Sequence, residues 1–196
     1  MDINYDTKII NHLIRNRRSV FPDQFATGKT IPDEIIEQIL ENATWAPSHG
    51  LNEPWHFTVF TGNGLQQLAD FQSELYRKEA GDRFAEKKYE KLKRQPMRAS
   101  HVIAIGMKRK PNTKIPEIED IEAVACAVQN IYLSITAYGL GGYWTTGGIT
   151  YYESARTFFG LNAEDRLLGF FYIGYIATPS STGKRTGIHE KVSWIR

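Results

Sequence analysis

The sequence predicts an α+β fold in which helices cover a modest central sheet. Three observations predict it. Segments with apolar residues every three or four positions alternate with short runs of β-branched and aromatic residues. One helical stretch, Ala123 to Tyr138, carries no charged residue. One long run, Leu167 to Ile176, is apolar almost throughout and reads as a strand buried on both faces. No repeat or Pro/Ser-rich linker divides the 196 residues, so residues 1–196 are read as a single domain.

Each element follows from its local pattern. Residues 6–16 read as a helix, with Ile9, Ile10, Leu13 and Ile14 on one face. Residues 17–31 read as a loop punctuated by Pro22 and Gly28. A second helix begins near Pro32, where Thr30 precedes Asp33 by three positions in the manner of a capping box. Its stripe is Ile35, Ile36, Ile39, Leu40 and Ala43, and Pro47 stops it. Residues 55–60 read as a strand. Gly62-Asn63-Gly64 is a turn, and a third helix follows with Leu65, Leu68, Phe71 and Leu75 as its stripe. Residues 77–98 hold nine Lys or Arg against four acidic residues and read as a solvated helix and loop. A basic flap beside an anionic ligand is the sharper alternative.

Val102–Met107 is a second strand. The acidic run Glu117–Glu122 opens a long helix, where carboxylates complement the positive end of the macrodipole. From Ala123 to Tyr138 that helix is apolar on nearly every face, which makes it a central core helix or a subunit interface. Cys126 within it reads as an inert buried thiol. Gly139-Leu140-Gly141-Gly142 ends the helix. Tyr143–Thr146 is a short strand or extended loop broken by Gly147-Gly148, and Tyr151–Phe159 is a short helix. The tail from Thr178 is polar and basic.

Composition removes several function classes. A net charge of +2 excludes a strongly basic nucleic-acid binder. Hydrophobic residues at 41% and charged residues at 23% exclude wholesale disorder. One cysteine excludes an intramolecular disulfide and a Cys-rich zinc site. The five histidines show no metal-ligand spacing, so no metal is expected. There is no G-x-S-x-G elbow and no P-loop. Gly139–Gly142 fails as a dinucleotide fingerprint, because it lacks the spacing and follows a helix. The first residues lack a secretory pattern and the longest apolar run is too short to span a bilayer. A soluble, cytoplasmic protein with neither membrane nor nucleic acid as partner is expected.

Two segments invite a chemical reading. Arg15-Asn16-Arg17-Arg18-Ser19 places guanidiniums and a hydroxyl where a helix ends. Arginine forks suit phosphate, but cations also complement a helix C-terminus. The loop Ala46 to Trp55 brackets small polar residues between two prolines, which makes it stiff and rich in hydrogen-bonding groups.

In order along the chain stand Arg17-Arg18-Ser19, the A-P-S-x-x-x-N-x-P-W loop, Gly139-Leu140-Gly141-Gly142-Tyr143-Trp144-Thr145-Thr146-Gly147, Gly169 to Tyr175, and Pro179 to Lys184-Arg185. This succession resembles the nitroreductase family, the FMN-dependent NAD(P)H oxidoreductases, over about residues 10 to 195. The resemblance implies a homodimer with a central mixed sheet among helices and two FMN sites at the interface, each built from both subunits. It implies that Arg17, Arg18 and Ser19 bind the ribityl and phosphate, and that Arg185, with Lys184, closes on the phosphate. It implies that Pro47, Ser48 and His49, with Asn52 and with Trp45 beside them, meet the isoalloxazine and ribityl, partly from the partner subunit. It implies that Trp144, Thr145, Thr146 and Gly147 border the flavin ring, where a backbone N–H faces N5. Trp55 and the Gly169–Tyr175 strand are structural in this reading.

The activity implied is two-step: hydride passes from NADH or NADPH to flavin N5, then to a nitro compound, quinone or similar small-molecule acceptor. The flavin carries the chemistry, and no side chain is named as catalytic. A non-catalytic flavin-binding or storage protein, a flavin-assisted dehalogenation or fragmentation enzyme, and an anion-binding module without flavin remain as alternatives. Two departures from the family pattern stand out. Phe21 occupies a position that is often basic, which leaves Arg18 to supply charge near flavin N1. Glu53 replaces a frequent glutamine before Pro54-Trp55.

Overall fold

The computed structural model describes residues 5–196. Nine principal elements follow in order. They are α1 (Thr7–Asn16), α2 (Asp33–Thr44), β1 (Trp55–Thr61), α3 (Asn63–Glu79), α4 (Glu86–Arg94), β2 (His101–Met107), α5 (Glu117–Ala137), β3 (Leu140–Thr145) and β4 (Arg166–Tyr175). The strands form one sheet in the order β1-β2-β4-β3. All its pairings are antiparallel, so the mixed sheet expected from the resemblance is corrected for the described residues. The reason is topological. β2 and β3 run the same way, joined by α5, but β4 inserts between them and pairs antiparallel with both. The α+β class stands.

Alternation along the strands builds two cores. Val102, Ala104, Phe170 and Tyr172 face α3 and α4. Ile103, Ile105, Phe171 and Ile173 face α2 and α5. Every residue of β2 is buried, as a central strand between two helical layers requires.

Four expectations change at the helices and at β3. The capping box before α2 does not form. Pro32 stands at the cap without a side-chain hydrogen bond, and the Asp33 carboxylate instead meets His101 Nε2 at 2.9 Å. The 77–98 region is less solvated than its charge suggests, because Tyr89 and Leu92 of α4 are buried against α3. The charge-free helix is not buried all round in one chain. Ala125, Cys126 and Gln129 are exposed on the face of α5 that turns from the sheet, so Cys126 is no core thiol here. Finally, only Gly139 (φ +68) ends α5, and Gly141 and Gly142 belong to β3. Gly141 pairs directly with Gly174 of β4. A Cβ at Gly174 would lie 2.7 Å from Phe25 Cγ, so the paired glycines leave a seat that Phe25 fills. This seat pins the 17–26 segment along the sheet. Val20 N–H donates to Gly142 O at 2.9 Å, and Ala26 N–H donates to Tyr175 O at 2.8 Å.

The first helix presents a different case. Asp6 caps α1 by accepting from Lys8 N–H at 2.8 Å. Its stripe of Ile9, Ile10 and Ile14 is exposed, and no residue of α1 is buried. A helix whose apolar stripe finds no core needs another surface to cover it.

Candidate functional site

The segment after α1 runs to the end of β3, and Tyr132 of α5 ties the two together. The Tyr132 hydroxyl accepts from Trp144 N–H at 2.9 Å and lies 3.3 Å from Ser19 Oγ. The Arg17 guanidinium stands 4.8 Å from the centre of the Tyr132 ring, a cation–π distance. Among the described residues it donates no hydrogen bond. Arg18 behaves otherwise: its Nη1 donates to Arg15 O at 2.6 Å and Arg17 O at 2.8 Å. It therefore closes the C-terminus of α1.

The C-terminal tail joins the same place. Ser180 Oγ donates to Ser19 O at 3.0 Å. The Gly183 backbone lies against Arg18, where an added Cβ would sit 2.7 Å from Cζ. Lys184 and Arg185 follow at once and are exposed.

Beside this junction a cleft of about 660 Å³ opens between Phe21–Gln24 and α4. Phe21 and Tyr143, with ring centres 4.6 Å apart, line one side. Lys87, Lys91, Arg94 and Arg98 line the other, against the acids Glu90 and Asp23. A smaller space of about 260 Å³ shares Lys91 and reaches Thr145, Gly147 and Gly148. Tyr172 borders it, and burial pushes the Tyr172 phenol well above its ordinary range, so it stays neutral. Thr146 is exposed at the turn. Trp144 turns its indole to the opposite face of the sheet, where Nε1–H donates to Leu168 O at 3.0 Å. Only its backbone belongs to the site.

The loop from Trp45 to Asn52 leads away from this junction. It leaves α2 just after Asn42, which bonds Ser134 and Asn130 of α5, and it ends at the first turn of that helix. Trp45 is 79% exposed, Pro47 is exposed, and Ser48 Oγ accepts from Glu53 N–H at 3.2 Å. His49 Nδ1 lies 2.6 Å from Glu119 Oε2. Asn52 is buried at 4% exposure, and its Nδ2 donates to Asp120 Oδ1 at 2.6 Å. The loop is thus gripped by the first turn of α5. Asp120 and Tyr132 are twelve residues apart on that helix, or about 18 Å at the α-helical rise. His49 and Asn52 and the residues of the Tyr132 junction are therefore two groups that one chain does not bring together.

Sequence reasoning missed Tyr132 and held the α4 cations only as an alternative, the basic flap beside an anionic ligand. For the cations a signal was present, since Lys87, Lys91 and Arg94 recur at spacings of four and three and share a helical face. For Tyr132 there was none beyond a lone phenol in an uncharged helix.

The profile of the Nitroreductase family matches residues 14–175. The protein named "Putative NAD(P)H nitroreductase YdjA" of Escherichia coli K12 is 31% identical over 172 residues, covering 87% of this chain and 90% of its own. A nitroreductase-like family protein from Bacillus cereus superposes with a TM-score of 0.82 at 28% identity, over 100% of this chain and 99% of that one. A nitroreductase with bound FMN from Bacteroides fragilis superposes at 0.67 and 22% identity, over 95% and 98%, which is a likeness of fold.

Proposed function

The chain belongs to the nitroreductase family, and on that premise we propose that it is a cytoplasmic, homodimeric FMN-dependent oxidoreductase. It takes reducing equivalents from NADH or NADPH and delivers them to a nitro compound, quinone or similar small acceptor. The observation that carries the proposal is the junction at Tyr132. There Arg17, Ser19, the cationic tail and the end of β3 meet beside a cation-lined cleft.

The residues fit the cofactor's chemistry. A phosphomonoester carries nearly two negative charges at neutral pH and takes charge-assisted hydrogen bonds. Arg17 and Ser19 hold it from one side, and Lys184 and Arg185 close from the other. Arg18 supports them by fixing the end of α1. The Phe21–Tyr143 pair offers an aromatic wall to a planar ring. Gly147 and Gly148 let the backbone approach it closely. Phe21 leaves a charge unsupplied near flavin N1, and Lys91, shared by both spaces, fills that role better than Arg18.

When bound, FMN would supply the hydride-transfer chemistry between the nicotinamide and the acceptor. The chain's own part is to anchor the phosphate, orient the ring against the end of β3 and keep cations near the pyrimidine edge. The His49–Asn52 end of the loop serves the partner's site, because its anchor Asp120 lies about 18 Å along α5 from Tyr132. The exposed stripe of α1, the uncharged outer face of α5 and the exposed Trp194 and Ile195 support a covering partner.

The test is the visible spectrum of the purified protein and identification of the cofactor released on heating. FMN at about one per chain, bleached anaerobically by NADH or NADPH and restored by a quinone, is the expected result. A colourless protein that fails to bind added FMN overturns the proposal, and bound FMN that neither nucleotide bleaches points to flavin storage.

A further inference from the structure

Asp120 is 2% exposed and carries a charge that the proposed chemistry does not use. Its two oxygens divide their work. Oδ2 pairs with Arg109 Nη1 at 3.0 Å, and Oδ1 accepts from Asn52 Nδ2 at 2.6 Å. Arg109 cannot swing away. Its Nη2 donates to Ile115 O at 2.7 Å, and its backbone N–H donates to Asp165 Oδ1 at 2.9 Å. Asp165 in turn accepts from Asn162 N–H at 2.7 Å through Oδ2. A continuous polar chain therefore runs from the start of β4 through Arg109 and Asp120 to Asn52.

At its end stands a loop with no other deep anchor. Of residues 48–53 only Asn52 is buried. Gly50, Leu51 and Glu53 have φ of +57, +53 and +50. Side chains rarely accept that region, so Leu51 and Glu53 hold it only where the surroundings impose it. A buried ion pair is an expensive way to hold a surface loop for stability alone. It gains a purpose where the exact shape of an exposed loop matters to a ligand.

We propose that Asp120 is a positioning residue: through Asn52, and braced by Arg109, it presets the Ser48–Glu53 loop in the shape in which that loop meets FMN. The inference rests on the reading of the protein as an FMN enzyme. Asn52 then acts as the loop's anchor and does not touch the cofactor itself. Holding the loop in its bound shape removes an ordering cost from FMN binding.

The experiment titrates protein stripped of its cofactor with FMN, following flavin fluorescence and the visible circular dichroism of the bound flavin. Asn52→Asp sets two carboxylates face to face and frees the loop. FMN affinity falls about tenfold or more and the visible dichroism changes. The reciprocal pair Asn52→Asp with Asp120→Asn restores one donor and one acceptor, and recovers affinity and dichroism. Wild-type affinity and dichroism in Asn52→Asp overturn the inference, as does a reciprocal pair that folds without recovering either. Where Asn52→Asp fails to fold, Asn52→Leu is judged by the same affinity and spectrum. The two levels separate cleanly. No FMN binding by the wild-type protein defeats the functional reading, whereas weak binding by Arg17→Ala beside normal binding by Asn52→Asp defeats only the loop assignment.

Discussion

The Tyr132 hydroxyl accepts the backbone N–H of Trp144 at 2.9 Å and so fixes the last turns of α5 to the end of β3. A phenol serves here because its ring also faces Arg17 and its oxygen also reaches Ser19. Tyr132→Phe keeps the ring and removes the oxygen. The half-buried Trp144 N–H then loses its partner, which costs about 1–3 kcal/mol. Urea unfolding reads that loss, and FMN titration reads a second effect, weaker binding as Ser19 loses its neighbour.

Arg17 and Arg18 are adjacent in sequence and opposite in role. Arg17→Ala removes a guanidinium that donates no hydrogen bond among the described residues, and leaves the fold intact. A lost charge-assisted hydrogen bond costs about 1.5–3 kcal/mol, so FMN affinity drops about 10- to 150-fold. Arg18→Ala leaves the Arg15 and Arg17 carbonyls open instead. It lowers thermal stability and disturbs FMN less than Arg17→Ala does. Melting curves and titrations on both variants give the comparison, and equal FMN losses would reject the division of labour.

Legibility followed the range of the forces involved. α2 was readable because its apolar spacing reflects one buried face, and α1 because it carries the same spacing although its stripe is exposed. β1, β2 and β4 were readable because they are runs of apolar, β-branched and aromatic residues. The start of β3 was not. Gly141 and Gly142 look like a helix terminator, and only the seating of Phe25 against Gly174 and of Phe171 against Gly142 explains glycine inside a strand. The absence of charge on α5 marked it as buried or as an interface, but which face lies open depends on where β3 and α2 pack. The cofactor segments were legible from motif order alone. Their division into two groups was not, because the distance between them is set by the length of α5. Asp120 looked like a dipole-complementing acid, and its tie to Asn52 joins residues 68 apart in the chain.

That division makes a prediction about subunits. Two copies, one carrying Arg17→Ala and the other Asn52→Asp, are coexpressed with different tags and the mixed dimer is purified. If each site takes Arg17 from one subunit and the loop from the other, one site of the mixed dimer carries both lesions and the other carries none. The mixed dimer then binds FMN at about half the wild-type stoichiometry with wild-type affinity. If both segments serve a site within one subunit, each site carries one lesion and no tight binding returns.

The pH dependence of stability has an identifiable source at His56. Burial pushes its imidazole below the ordinary histidine range, and the nearby Lys108 charge adds to the shift. Its Nε2 lies 3.1 Å from Phe159 O, a donor's position for the neutral ring, and this bond together with Asp165 opposes the shift without cancelling it. The folded state therefore binds the proton less readily than the unfolded chain. Stability from this group is fully present above the unfolded value of about 6.5 and falls as pH drops through the lower folded value. Denaturation midpoints measured from pH 8 down to pH 5 should decline over that window. His56→Gln retains a donor for Phe159 O but does not titrate, so the part of the decline that belongs to His56 disappears in that variant. An identical pH profile in the two proteins would assign the decline to other groups.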